Sequence, residues 1–204
     1  MVQKARTAEI LQAAARVFHR KGFHAARIQD VADELGMQKG SLYHYISTKQ
    51  DLLKGLVEGA MQRLIAALRG ICATGHPAGQ KLAMAIEAHL RLTQEDRDIW
   101  GILQREDLDL LNRGSRSDLR AMIKEYESLW DRLVTDGVES GEFDSGLDGR
   151  VVVHAILGMC NATGVWFRPD GRLPIQEVAR IFSEIVLRGV RPPQHAGSPM
   201  GERR

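Results

Sequence analysis

Apolar residues recur along this chain with a helical period almost throughout. Ile10, Leu11, Ala14, Ala15 and Phe18 form one stripe that ends near Gly22. Ile28, Val31, Ala32 and Leu35 sit at i, i+3, i+4 and i+7, one face of a short helix, and Gly36 follows where a left-handed residue is easiest for glycine. Lys39 to Tyr45 fits a further helix of about two turns. Only Leu42 and Ile46 look like anchors there. The rest, Lys39, Gly40, Ser41, Tyr43, His44 and Tyr45, is cationic, small or hydrogen-bonding. A fourth helix is expected from Thr48 to about Cys72, opened by the T-x-x-D box of Thr48 and Asp51.

The helical period continues to residue 190, with no useful strand alternation. A fifth helix is expected from Ala78 to Gln94 and a sixth from Arg97 to Leu111. A turn follows at Asn112 to Ser115, then a seventh helix from Ser117 to Glu139. The eighth, Leu147 to Phe167, contains VVVHAILGMCNATGVWF and is apolar nearly all round. Arg168 to Arg172 reads as a turn, and the ninth helix runs from Leu173 to near Gly189. Pro192 onward is polar and rich in glycine and proline, the composition of a disordered tail. The fold class expected is all-α, about nine helices: a helix-turn-helix head over 1–50, a ligand-binding and dimerisation body over 51–190, and the tail 191–204.

Charge separates head from body. Residues 1–50 hold 8 Lys and Arg against 4 Asp and Glu, whereas 51–190 hold 17 against 21. A basic head on an acidic body directs nucleic acid to one end. No apolar run approaches the ~18 residues of a membrane span, and the N-terminus lacks the apolar core of a signal peptide. Cys72 and Cys160 lie far apart without metal-ligand spacing, so reduced thiols in the cytoplasm are expected.

A short helix with little apolar surface and many donors suits a major groove better than a core. Tyr43 and His44 are the expected DNA contacts, since a tyrosine hydroxyl bonds phosphate and its ring packs on a thymine methyl. Arg27, Lys39, Thr48 and Lys49 are expected at phosphates, Ser41 at phosphate or a base edge, and Gly40 lets the backbone come close. Tyr45 reads equally well as packing or contact. In the body, an eighth helix apolar on several faces must bury more than one of them. Its Gly158, Ala162 and Gly164 allow close approach of another backbone. His89 and His154 lie on apolar faces, where a lone histidine is more often a satisfied core group than a ligand. Glu106, Asp107 and Asp109 lack the glycine and terminal glutamate of a calcium loop, so no metal is expected. No G-x-S-x-G, P-loop, C-x-x-C or H-E-x-x-H occurs, which leaves an enzyme reading without residues to carry it.

Phe18, Gly22, Asp30, Val31, Ala32, Gly36, Lys39, Gly40, Ser41, Leu42, Tyr43, Lys49 and Leu53 together resemble the DNA-binding domain of the tetracycline-repressor family of bacterial regulators. Two positions depart from it. Ala26 and Arg27 stand where the family usually has Thr or Ser at the start of its second helix, and Ile46 stands where it usually has Phe. The resemblance implies a homodimer whose eighth and ninth helices form a four-helix interface. Val153, Leu157, Gly158, Val178, Ile181, Phe182 and Ile185 are the positions expected there.

The string Gly158-x-x-Asn161, followed by Trp166-Phe167-Arg168-Pro169-x-Gly171-x-Leu173, resembles members that respond to fatty acids or acyl-CoA. It implies a fatty acyl-CoA or other apolar effector, with Trp100, Leu103, Arg105, Tyr126, Trp130, Asn161, Trp166 and Arg168 as the expected binding residues. Arg91 and Arg97 are further cations for its phosphates. The function expected is a ligand-released repressor without a cofactor. The alternatives are a regulator of efflux or drug resistance and, from other classes, a helical enzyme or an adaptor that does not bind DNA.

Overall fold

The computed structural model describes residues 2–105 and 116–192, with side chains over 6–101 and 119–192. Among the described residues there are nine helices and no strand: α1 Val2–Lys21, α2 Ile28–Glu34, α3 Lys39–Leu42, α4 Lys49–Cys72, α5 Ala78–Glu95, α6 Arg97–Arg105, α7 Arg116–Glu139, α8 Gly149–Trp166 and α9 Ile175–Val190. None of them is long and apolar enough to cross a membrane. The expected continuation of the sixth helix to Leu111, the acidic Glu106, Asp107 and Asp109, and the tail beyond residue 192 lie outside the described residues.

The head is built by local rules. α1 buries Ile10, Ala13, Ala14, Val17 and Phe18, and Gly22 closes it at φ +79° with its N–H on the Phe18 carbonyl. The missing N-cap of α2 is replaced from inside the helix: the Arg27 N–H donates to Asp30 Oδ2 at 2.8 Å. Gly36 takes φ +62° and turns the chain into α3. Salt bridges from Arg16 and Arg20 to Glu34, and from Lys21 to Asp30, hold α1 beside α2. The Phe18 and Phe23 rings meet edge to face at 5.2 Å.

The regular part of α3 is a single turn, shorter than the two expected. Beyond Leu42 the chain continues in looser turns, with the Tyr45 and Ile46 N–H groups both reaching the Leu42 carbonyl. With only Leu42 and Ile46 buried, too little apolar contact holds a second regular turn in place.

α4 connects the two ends of the molecule. Thr48 Oγ1 accepts from the Asp51 N–H at 3.0 Å and the Thr48 N–H donates to Asp51 Oδ2 at 2.9 Å, closing the box expected from sequence. The helix then packs on α1 at one end and on α5 and α7 at the other. α5 is the axis of the body, flanked by α4, α7, α8 and α9. Its first N–H groups, on Ala78 and Gly79, donate to the Glu142 carboxylate at 2.8 and 3.0 Å and hold its pKa below the usual range. Gly137 lets α7 pass close to the buried Phe143 ring, which a Cβ there would overlap.

Candidate functional site

Two surfaces and one cavity carry the chemistry. The first surface is α3 and the turn after it. Leu42 is fully buried and Ile46 nearly so, and they fix the segment to the head. Lys39, Gly40, Ser41, Tyr43, His44 and Tyr45 are all exposed. Tyr43 retains 48% of its surface in solvent with the Lys39 ammonium 5.8 Å from its ring centre, and Tyr45 also stands out of the core. A Cβ at Gly40 would meet nothing within 4 Å, so a flat partner can approach the backbone there. The Arg27 side chain is exposed as well.

Lys49 differs from expectation. The Lys49 ammonium donates to the carbonyls of Phe23, His24 and Ala26 at 2.6, 3.0 and 3.0 Å and lies 4.6 Å from the Phe23 ring centre. An ammonium has three protons, and three carbonyls already take them. Lys49 therefore clamps the turn before α2 onto α4 rather than reaching for a phosphate. Thr48 is exposed, and its hydroxyl, accepting from the Asp51 N–H as the α4 cap, keeps its own proton to donate.

The cavity holds about 600 Å³, within the range of small-molecule sites, and is lined from α1, α4, α5, α6, α7 and α8. Val57, Met61, Trp100, Leu119, Ile123 and Phe167 give it an apolar wall. His19, Thr93, Gln94, Arg97, Asn161 and Arg168 give it polar groups, the two arginines at its exposed rim. His19 also meets Asp98 at 3.2 Å, and Arg63 pairs with Asp96, so α1 and α4 are both tied to the start of α6 beside the cavity.

Of the expected effector residues, Trp100, Asn161 and Arg168 line this cavity. The side chains of Leu103 and Arg105 lie outside the described ones. Trp130 is fully buried in the core, and Tyr126 is buried beside it, ring centres 6.2 Å apart. Trp166 faces outward, half exposed, with its ring against Phe167 and Phe182. Arg91 is exposed and paired with Glu95. Val57, Met61, Leu119 and Ile123 were missed, because their i, i+4 spacing is the same signal a core residue gives.

A chain of polar groups crosses from α7 through α5 to α8, buried at Tyr126 and His89 and reaching the surface at Asn161. The Tyr126 hydroxyl lies 2.7 Å from His89 Nδ1, and His89 Nε2 lies 3.1 Å from Asn161 Oδ1. His89 is thus the satisfied core histidine expected, whereas His154 is exposed on the outer side of α8. Burial pushes the His89 imidazole from 6.5 down to about 4, partly offset by the Asn161 hydrogen bond. The unfolded chain therefore takes a proton that the folded one refuses. Stability is complete above about pH 6.5 and falls as pH drops towards about 4. The loss is on the order of 3 kcal/mol. Urea unfolding across that window measures it, and His89→Gln should flatten the slope. Burial also pushes the Cys160 thiol up to about 12.

The second surface is the outer side of α8 and α9. Val165 is 68% exposed, Ile185 57% and Trp166 50%, and Val151 at the other end of α8 is exposed too. Gly158 opens onto empty space. Leu157, Ile181 and Phe182 are half-buried. Val153 and Val178, expected between subunits, point into the protomer and are buried at 2% and 4%. A helix that is apolar all round gives no phase in sequence, and here α5 and α7 take the side carrying Val153.

Most of the chain has known counterparts. Residues 10–56 match bacterial regulatory proteins of the tetR family, and residues 75–190 match the tetracyclin repressor-like C-terminal domain. The HTH-type transcriptional repressor KstR2 of Mycobacterium tuberculosis is 29% identical over 186 residues, covering 91% of this chain and 92% of that protein. The fatty acid metabolism regulator protein of Bacillus subtilis is 26% identical over 183 residues, covering 89% and 94%. The structure of the ketosteroid transcriptional regulator KstR2 of Mycobacterium tuberculosis superposes with a TM-score of 0.82 at 28% identity, over 92% of this chain and 96% of that one. FadR from Bacillus subtilis in complex with stearoyl-CoA superposes with a TM-score of 0.74 at 26% identity, over 90% and 99%.

Proposed function

Since the chain belongs to the tetracycline-repressor family of bacterial transcriptional regulators, we propose that its α3 surface holds operator DNA and that a fatty acyl-CoA in the cavity loosens that hold. Members of this family are DNA-binding regulators that act as dimers. The observation that carries the reading is the anchoring of α3. Two buried residues hold it, and every other side chain from Lys39 to Tyr45 faces outward. The exposure of Tyr43, His44 and Ser41 supports their meeting base edges and phosphates, with Lys39 and Arg27 adding charge. Tyr45 belongs with them by its exposure. The protein works in the cytoplasm as a homodimer through the outer side of α8 and α9, without a cofactor.

The cavity supports an amphipathic effector. Its apolar wall suits an acyl chain, and Arg97 and Arg168 at the rim suit phosphates. An occupant touches α1 at His19, α4 at Val57 and Met61, and α6 at Trp100. Wedging these apart moves the start of α4, and with it α3. Operator affinity falls by the ratio of the effector's affinities for the two arrangements. A polycyclic effector is the second reading, favoured by the TM-score of 0.82 with a regulator named for ketosteroids.

Genomic fragments retained by the purified protein supply the operator. Palmitoyl-CoA should release it in a gel shift at concentrations where palmitate alone does not. Tyr43→Ala should weaken the complex by about 1–3 kcal/mol without changing helicity or dimerisation. Unchanged affinity removes Tyr43 from the interface. Release by a drug or steroid but not by any acyl-CoA overturns the effector and leaves the regulator.

A further inference from the structure

We infer that the effector sets a carbonyl oxygen against the Asn161 amide nitrogen, and that Tyr126 and His89 fix this amide as a donor towards the cavity. The inference rests on the cavity being the effector site and names the group recognised there.

The proton count decides the direction of the chain. Tyr126, His89 and Asn161 are joined by two hydrogen bonds, at 2.7 and 3.1 Å. A neutral imidazole carries one N–H and one acceptor nitrogen. If Nδ1 held the proton, it would donate to the Tyr126 oxygen, and the phenol proton would have no acceptor among the described residues. Tyr126 is 6% exposed, so water does not take that proton either. A buried donor left without a partner is costly. The other arrangement satisfies every group: the Tyr126 O–H donates to Nδ1, and Nε2–H donates to Asn161 Oδ1. The Asn161 nitrogen, with two protons, is then left for the cavity that Asn161 lines.

Elsewhere the lining is mixed in sign. Thr93 Oγ1 shares its one proton between the His89 and Leu90 carbonyls and Thr163 Oγ1 gives its proton to the Cys160 carbonyl, so both keep only lone pairs. The Trp100 indole N–H meets no acceptor among the described residues. An occupant that sets an acceptor at Asn161 satisfies its amide, whereas an all-apolar one covers those protons without a partner. An acyl thioester and a cyclic ketone both offer that oxygen.

Two measurements test this. Nitrogen-15 spectra of the full-length protein should show His89 as the neutral Nε2–H tautomer, still unprotonated at pH 5. The Nδ1–H tautomer overturns the inference. Calorimetry then compares palmitoyl-CoA with S-hexadecyl-CoA, the thioether that lacks only the carbonyl. A second pair is 5α-androstan-3-one and 5α-androstane. The carbonyl member of whichever pair binds should be favoured by about tenfold, the effect of one hydrogen bond. Asn161→Leu should abolish the preference. Tyr126→Phe should reduce it, because the ring can then reverse its tautomer. Equal binding of both members to the wild type overturns the inference. If only the steroid pair binds, the acyl-CoA reading falls while the carbonyl preference is still decided.

Discussion

Ile185→Glu should yield a folded protein that no longer dimerises at micromolar concentration and no longer holds its operator. Ile185 is 57% exposed in the protomer, so a carboxylate there keeps its water in the monomer. Stability of the single chain should change by no more than about 0.5 kcal/mol. In a dimer through α8 and α9 the same carboxylate is desolvated in an interface that also covers the exposed Val165 and Trp166. Each copy should lose about 2 kcal/mol or more. A two-fold interface counts the substitution twice, so the total is about 4 kcal/mol, or roughly a thousandfold in dissociation constant. Sedimentation velocity reads the dimer and a gel shift reads the operator. Val178→Glu is the contrasting variant. It sits inside the protomer at 4% exposure and should lower stability instead. A variant at Ile185 that sediments as the wild type does would move the interface elsewhere.

Trp130→Ala should lower the stability of the whole protein by about 3–5 kcal/mol. That is a large part of the ~5–15 kcal/mol that keeps a domain folded. Trp130 has no exposed surface, and its ring stands edge-on to Tyr126 at 6.2 Å and to His89 at 6.3 Å. Removing it leaves a void in a wall made of α5 and α7, which cannot close without moving His89. For a chain of this size the melting temperature should drop by roughly 10 °C. Calorimetric melting measures it. An unchanged melt combined with lost effector binding would return Trp130 to the cavity wall, where its residue type alone suggested it belonged.

The chain's sequence made its local structure legible because each boundary depends on residues that are neighbours. Thr48 and Asp51 cap α4 by bonds within four residues, and Gly22 and Gly36 take positive φ where α1 and α2 end. The outward chemistry of α3 was readable for a related reason. Two anchors among polar residues leave one way to orient a short segment. Its second regular turn was overestimated, because period alone ignores how little apolar surface holds it.

Side-chain assignment in the body was not readable in the same way. Trp100, Trp130 and Trp166 look alike in sequence, yet one lines the cavity, one fills the core and one faces out. Lys49 reads as a surface cation until three carbonyls from before α2 converge on it. His89, Tyr126 and Asn161 stand on three helices, and nothing in their spacing predicts that they join. By itself the sequence determined the helices, their ends and the polar surface of α3, since these follow from interactions within a few residues. The tertiary structure alone decided which apolar side of α8 is inside, which tryptophan lines the cavity and that Asn161 meets His89. Helical period says that residues share a side, and only packing between distant helices says what that side meets.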